Sequence, residues 1–230
     1  MTERPYTLLS CGMSIDGYLD DVADERLLLS NDADFDRVDG VRAGCDAILV
    51  GAATIRQDDP RLLVRSAQRR ADRQARGQAA TPMKVTVTGS CALDAGARFF
   101  TLGDVEKLVY CATGTLEQAG KRLGEVATVI DGGDPIDLRR VVADLAERGV
   151  RRLMVEGGGT MHTQFLTAGL VDELQLVVAP FFVGDSRAPR FVGDGDFPWG
   201  PGHRAELAEV RQIGDVVLLR YKLSDRFGAG

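Results

Sequence analysis

Two stretches of this chain place chemistry-bearing residues directly after apolar runs. In "LMVEGGGTMHTQFL" (153–166) the run stops at Glu156, and Gly157, Gly158, Gly159 and Thr160 follow before a helix-like pattern resumes. Glycine has the most backbone entropy to lose on folding, so three in a row need a reason. A strand, then glycines, then a helix is the local grammar of an anion site. Main-chain N–H groups at the helix start point at the ligand, the helix dipole favours negative charge, and glycine leaves no Cβ in the way. Thr160 can cap the helix or donate its hydroxyl. The pattern is neither G-x-G-x-x-G nor a Walker loop, and a tight turn between strand and helix is the plain alternative.

The second stretch, "ILVGAATIRQDDPRLLVR" (48–65), repeats the arrangement with Gly51, small Ala52 and Ala53, and then Thr54. Two such strand ends suit a dinucleotide, whose phosphates and sugars are spread over many ångströms. In an open α/β sheet, ligands lie outside the carboxyl ends of the strands. Pro60 moves Asp59 out of helical geometry, which leaves Asp58 and Asp59 at a helix end where the dipole disfavours acids. Such carboxylates can hold a carboxamide, ribose hydroxyls or an amine; an Asx-turn before the proline is the structural alternative. The only histidines are His162 and His203, and none of Cys11, Cys45, Cys91 and Cys111 forms a C-x-x-C pair. No metal centre, catalytic triad or disulfide framework is expected from that set.

The elements that must position these groups alternate. "YTLLSCGM", "CDAILVG", "KVTVTG", "KLVYCA", "VATVID" and "RRLMVEG" read as strands. "SNDADFDRVDGVRAG" reads as a helix with Ser30 as cap and Gly44 at its end, and "PIDLRRVVADLAERG" as another between Pro135 and Gly149. This predicts an α/β fold whose central sheet is mostly parallel with helices on both faces. The C-terminal strands "VDELQLVVAPFFVG", "HRAELAEVRQIG" and "DVVLLRYKL" read as antiparallel, with a turn at 213–215. The arginine-rich 65–81 segment reads as a solvated loop or frayed helix.

With 230 residues, 44% of them hydrophobic, the chain has ample material for a core, and a single domain over 1–230 with a tail at 224–230 is expected. A net charge of −6 argues against nucleic-acid binding. No apolar run approaches about 18 residues, so no membrane span is expected. The start lacks signal-peptide anatomy, which points to the cytoplasm.

"MSIDGYL", "VGAATIRQDDPRLLVR", "VEGGGT" and "GLVDELQLVVAP" together resemble the pyrimidine reductases of riboflavin biosynthesis, in order and spacing from about Tyr6 to Leu223. These include the reductase domain of the bifunctional deaminase–reductase and its stand-alone relatives. "APRFVGDGDF" (188–197) is most similar to the stand-alone archaeal type, and the deaminase zinc signature is not found. The resemblance implies a dihydrofolate-reductase-like three-layer αβα fold, a homodimer, NADPH as cofactor, and reduction of a ribosylamino-pyrimidinone 5′-phosphate to its ribitylamino form. It implies cofactor contacts at Met13, Thr54, Asp58 and Gly157, Gly158, Gly159 and Thr160. Ser30, Arg42, Leu62, Arg65 and Glu156 match substrate-holding positions.

The residue chemistry fits these roles. Arg42 and Arg65 can fork onto a phosphate, and Glu156 can accept from pyrimidine amino groups. No lysine or arginine stands between Lys84 and Arg98, where a 2′-phosphate would want a base, so NADH stays open beside NADPH. Asp59 is the candidate proton donor, with water as the alternative. A related reductase acting on a pterin, a folate or a secondary-metabolite pyrimidine is one competing expectation. A non-catalytic dinucleotide-binding module is the other.

Overall fold

The computed structural model of the chain describes residues 4–23, 25 and 27–228; the last two residues of the expected tail lie outside the described ones. Its elements in chain order are β1 (Tyr6–Ser14), α1 (Asp32–Ala43), β2 (Ala47–Gly51), α2 (Ala52–Asp58), α3 (Ala67–Ala75), β3 (Met83–Thr88), α4 (Arg98–Thr101), β4 (Lys107–Cys111), α5 (Leu116–Leu123), β5 (Thr128–Asp131), α6 (Leu138–Glu147), β6 (Arg152–Gly157), α7 (Gly159–Thr167), β7 (Glu173–Ala179), β8 (Glu206–Ile213) and β9 (Val216–Lys222). The hydrogen-bonded strand order is β5-β4-β3-β2-β6-β1-β7-β9-β8. The expected mixed, mostly parallel sheet with antiparallel C-terminal strands is therefore present. The chain forms two compact units, Asp39–Met154 and Tyr6–Val38 with the residues from Val155 onward.

In the first unit β2, β3, β4 and β5 pair in parallel. Every residue of β2 is buried, as its unbroken apolar run requires of a strand covered on both faces. Its core holds Ile48, Leu49, Val85, Leu108, Val109, Phe99, Leu123, Val141 and Leu145. Lys84 is buried in this core, with Nζ donating to the carbonyls of Phe99 and Leu102. Burial lowers its pKa to about 8, with a smaller push from the like charge of Lys107. Asp46 ties the entry to β6 by accepting from the main-chain nitrogens of Arg151 and Arg152, each at 2.9 Å.

The arginine-rich segment takes the helical alternative of its sequence reading but departs from it in being capped and in burying Arg73. It is helix α3, capped by Ser66, whose hydroxyl accepts from the Arg69 nitrogen. Arg73 is 2% exposed and donates to the carbonyls of Ala43, Cys45 and Ala79. Three carbonyls from outside the helix satisfy a charge that looks solvated in sequence, and Arg69 pairs with Asp39.

In the second unit β1 pairs in parallel with β7, β7 is antiparallel to β9, and β9 to β8. The reading of the last third as consecutive antiparallel strands holds for β8 and β9, which meet through a two-residue turn at Gly214 (φ +62°). It holds for β7 too in its antiparallel pairing with β9, but β7 is not joined to the next strand by a short turn, and its other neighbour, β1, is parallel. Residues 180–205 separate β7 from β8, long enough for β9 to take the place between them. The α1 cap also shifts: Asn31 Oδ1 accepts from the Asp34 nitrogen, whereas the Ser30 hydroxyl donates to the Asp34 carboxylate. Ser30 stands one residue too early to reach the first free N–H groups.

Candidate active site

Two sets of site residues lie on the two units. On the first, β2 ends at Gly51, which is the N-cap of α2. Thr54 lies in the first turns of α2 and is half-buried; Asp58 is its last residue and is half-buried too. Asp59 then turns left-handed (φ +40°, ψ +58°) and its nitrogen still bonds the Ile55 carbonyl, which ends the helix. The proline behind it explains why the helix stops there. Leu62 is left-handed as well (φ +48°) and its side chain is buried, 3% exposed.

Arg42 sits in the last turn of α1, where a cation suits the dipole, and its Nη1 reaches the Leu63 carbonyl at 3.4 Å. Arg65 is fixed at its main chain: its nitrogen donates to Asp39 Oδ1 at 2.5 Å, with the Ser66 nitrogen on Oδ2 at 3.1 Å. Its guanidinium stays exposed (59% for the side chain), with Nε 3.8 Å from Asp39. Burial raises the Asp39 pKa, but the hydrogen bonds from Arg65, Arg69 and Ser66 outweigh it and hold the carboxyl below its ordinary value.

Asp39 was missed from sequence. It is 2% exposed on α1, four residues after Phe35, and the few apolar residues of α1 form no one-sided pattern that would have marked it. Asp59, the candidate proton donor, is committed differently from the expectation. Its Oδ1 accepts from the Arg98 nitrogen at 2.6 Å and its Oδ2 from Arg98 Nε at 2.8 Å.

On the second unit β1 carries Met13, half-buried and in register with Val178, to Ser14 at its end. Ser14 accepts from the Tyr18 nitrogen and donates to Asp16, which in turn accepts from the nitrogens of Val183 and Gly184. Asp34, which takes the Ser30 hydroxyl, also pairs with Arg37. Glu156 is half-buried in β6.

The three glycines serve different ends. Gly157 has φ +144°, a region L side chains rarely adopt, and its peptide to Gly158 is cis. A Cβ on Gly159 would collide with the Arg190 carbonyl oxygen. At two of the three positions the protein's own backbone therefore demands glycine. Gly158 is the N-cap of α7, and among the described residues no side chain caps that helix, Thr160 included. The uncapped N–H groups and positive dipole end suit a phosphate or a carboxamide oxygen.

Behind this turn lies His162, which sequence reasoning passed over. It is 1% exposed, and its Nδ1 lies 3.1 Å from the Phe191 carbonyl, a contact that calls for N–H on that nitrogen. Burial lowers its pKa to about 4 against the opposing Phe191 bond, so the ring is neutral. Nε2 has no hydrogen-bond partner among the described residues. The 188–195 segment straps the same helix start: besides Arg190 and Phe191, the Gly193 nitrogen donates to the Thr163 hydroxyl.

A family model described as the RibD C-terminal domain matches residues 5–219. The chain belongs to that family. A 2,5-diamino-6-ribosylamino-4(3H)-pyrimidinone 5′-phosphate reductase from Archaeoglobus fulgidus is 36% identical over 194 residues, covering 84% of this chain and 88% of that one. A pyrimidine reductase-like protein from Corynebacterium diphtheriae superposes with a TM-score of 0.79 at 24% identity, over 95% of this chain and 91% of that one. A dihydrofolate reductase from Enterococcus faecalis, solved with NADP(H), reaches 0.50 at 9% identity, over 94% of this chain and 95% of that one. The RibD C-terminal relatives are reductases, and this member is an oxidoreductase of riboflavin biosynthesis with the dihydrofolate-reductase-like fold. Family and fold together imply a nicotinamide dinucleotide, and the uncapped glycine turn at α7 has the donors such a group needs.

Proposed function

We propose that this RibD C-terminal family member reduces the ribosyl group of a diamino-ribosylamino-pyrimidinone 5′-phosphate to the ribitylamino product, with NADPH as reductant, as a cytoplasmic homodimer. The observation that carries this reading is the reach of the family match over residues 5–219, which takes in every residue assigned here. The diamino form follows the name of the Archaeoglobus fulgidus relative.

When bound, the dihydronicotinamide supplies hydride to C1′ of the opened ribosylamine. The chain's own residues bind and orient. Thr54 and Asp58 on the first unit, and Met13 and the Gly157–Thr160 turn on the second, are the residues that would hold a dinucleotide, and the uncapped N–H groups of α7 would suit its anionic or carboxamide oxygens. Arg65 and Arg42 grip the substrate phosphate; Arg65 suits this because its main chain is anchored on Asp39 while its guanidinium stays exposed. Glu156 accepts from the pyrimidine amino groups, and Ser30 and Leu62 line the substrate. Both oxygens of Asp59 accept from Arg98, and water is the donor taken in this reading for the proton that the ring-side nitrogen needs.

The test is product analysis. Incubation with NADPH and the diamino substrate should give a product two hydrogens heavier, with the reduction located in the sugar chain. Parallel incubations with the 2-oxo pyrimidine and with dihydrofolate should be slower. Reduction of dihydrofolate alone would replace this reading with that of a folate reductase, and dinucleotide binding with no turnover of any substrate would replace it with a non-catalytic module.

A further inference from the structure

A phosphate monoester is best held by a cation whose donors are fixed in advance, and the first unit contains one that the assignments above leave unused. The arginines of α3 and its C-cap are committed: Arg69 to Asp39, Arg70 to the carbonyls of Val64 and Arg65, Arg73 to three carbonyls in the core, Arg76 to Gln78. Arg98 is held differently. Its main-chain nitrogen and its Nε both bond Asp59, at 2.6 and 2.8 Å, one to each carboxylate oxygen. This engages the guanidinium through Nε alone and ties it to the same carboxylate that holds its main chain. Neither Nη nitrogen has a partner among the described residues, and the side chain is 44% exposed.

Stability alone gives little reason for this arrangement. An exposed ion pair contributes little to folding. Here its acid stands at φ +40°, a left-handed backbone that costs a comparable amount. On either side of Asp59 in sequence, Arg56 and Arg61 are exposed and form no ion pair among the described residues. A chain of net charge −6 thus gathers unpaired cations beside one deliberately oriented guanidinium. A carboxylate on Nε leaves the outer N–H groups in the planar fork that matches phosphate oxygens, with less freedom left to lose on binding.

We propose that Arg98, aimed by Asp59, binds a phosphate monoester, with Asp59 as its positioning residue. This rests on the reductase reading, in which two reactants carry such a group: the 2′-phosphate of NADPH and the 5′-phosphate of the pyrimidine. The experiment separates them. Dissociation constants for NADPH and NADH are measured by nucleotide fluorescence, and KM for the phosphorylated and dephosphorylated pyrimidine by steady-state turnover, in wild type, Arg98→Ala and Asp59→Asn.

Arg98→Ala should weaken one phosphate-bearing ligand by about tenfold or more and leave its phosphate-free counterpart unchanged. A fall in the NADPH-to-NADH preference assigns Arg98 to the cofactor; a fall in the phosphorylated-to-dephosphorylated preference assigns it to the substrate. Asp59→Asn should shift the same preference by less, with the urea midpoint of both variants near that of wild type. Unchanged preferences in folded Arg98→Ala, or equal losses for ligands with and without phosphate, overturn the proposal while the reductase reading stands. Wild-type protein that binds neither dinucleotide overturns the reductase reading itself, and this inference with it.

Discussion

The carbonyl oxygen of Arg190 occupies the space that a side chain on Gly159 would need. The first residue of α7 is thus packed against the strap that follows β7, with no room for a methyl group. Gly159→Ala must push one main chain off the other. Forced overpacking against backbone costs about 1–3 kcal/mol, and the expected result is a urea midpoint lowered to match. An unchanged midpoint would mean that the strap yields freely.

Gly158 bears the ligand-side argument, because Gly157 and Gly159 are already accounted for by backbone angle and contact. Gly158→Val in a folded protein should weaken dinucleotide binding at least tenfold, about 1.4 kcal/mol. Fluorescence titration with NADPH reads this directly. Wild-type affinity in that variant would reduce the glycine turn to a structural connection.

His162 gives a pH signature. Its folded pKa, about 4, lies below the 6.5 of the free imidazole, so the unfolded chain binds the extra proton first as pH falls. Stability is therefore present above the unfolded value and is lost as pH falls from about 6.5 toward about 4. Between pH 7 and pH 5 the loss attributable to this ring is about 2 kcal/mol. Urea unfolding of wild type and His162→Phe at the two pH values isolates it: the variant should be weaker at pH 7 but show a smaller acid loss. Equal acid losses would show that the imidazole is not buried neutral.

β8, one of the two edge strands, exposes Leu207 at 51% and Val210 at 59%, and Phe182 of the preceding connection is 70% exposed. An edge strand with that much apolar surface invites a partner edge. Light scattering at micromolar concentration should give a dimer mass, and Val210→Asp should shift it toward the monomer. A monomeric wild type would place the dimer expectation in error.

Much of the fold was legible because local chemistry and global position agree. The all-apolar run of β2, the proline behind Asp59 and the two-residue turn at Gly214 each carry their own cause within a few residues. The parts that were not legible depend on distant partners. Arg73 looks solvated until Ala43, Cys45 and Ala79 supply carbonyls. The need for glycine at 159 comes from residue 190, and the parallel neighbour of β7 comes from β1 at the other end of the chain. Among the candidate site residues, sequence placed Thr54, Asp58 and the glycines at element ends. It could not foresee that Asp59 would be taken by Arg98, or that Asp39 would anchor the main chain of Arg65.

The most direct measurement is steady-state turnover with NADPH, comparing the phosphorylated and dephosphorylated ribosylamino-pyrimidinones in wild type and Arg65→Ala. Wild type should reduce the phosphorylated compound and handle the dephosphorylated one poorly. A charged hydrogen bond to phosphate contributes about 1.5–3 kcal/mol, so Arg65→Ala should raise KM for the phosphorylated compound roughly tenfold to a hundredfold. NADPH affinity should barely change. No reduction of either pyrimidine by wild type would contradict the account outright, and loss of NADPH binding in Arg65→Ala with an unchanged substrate KM would exchange the two sites.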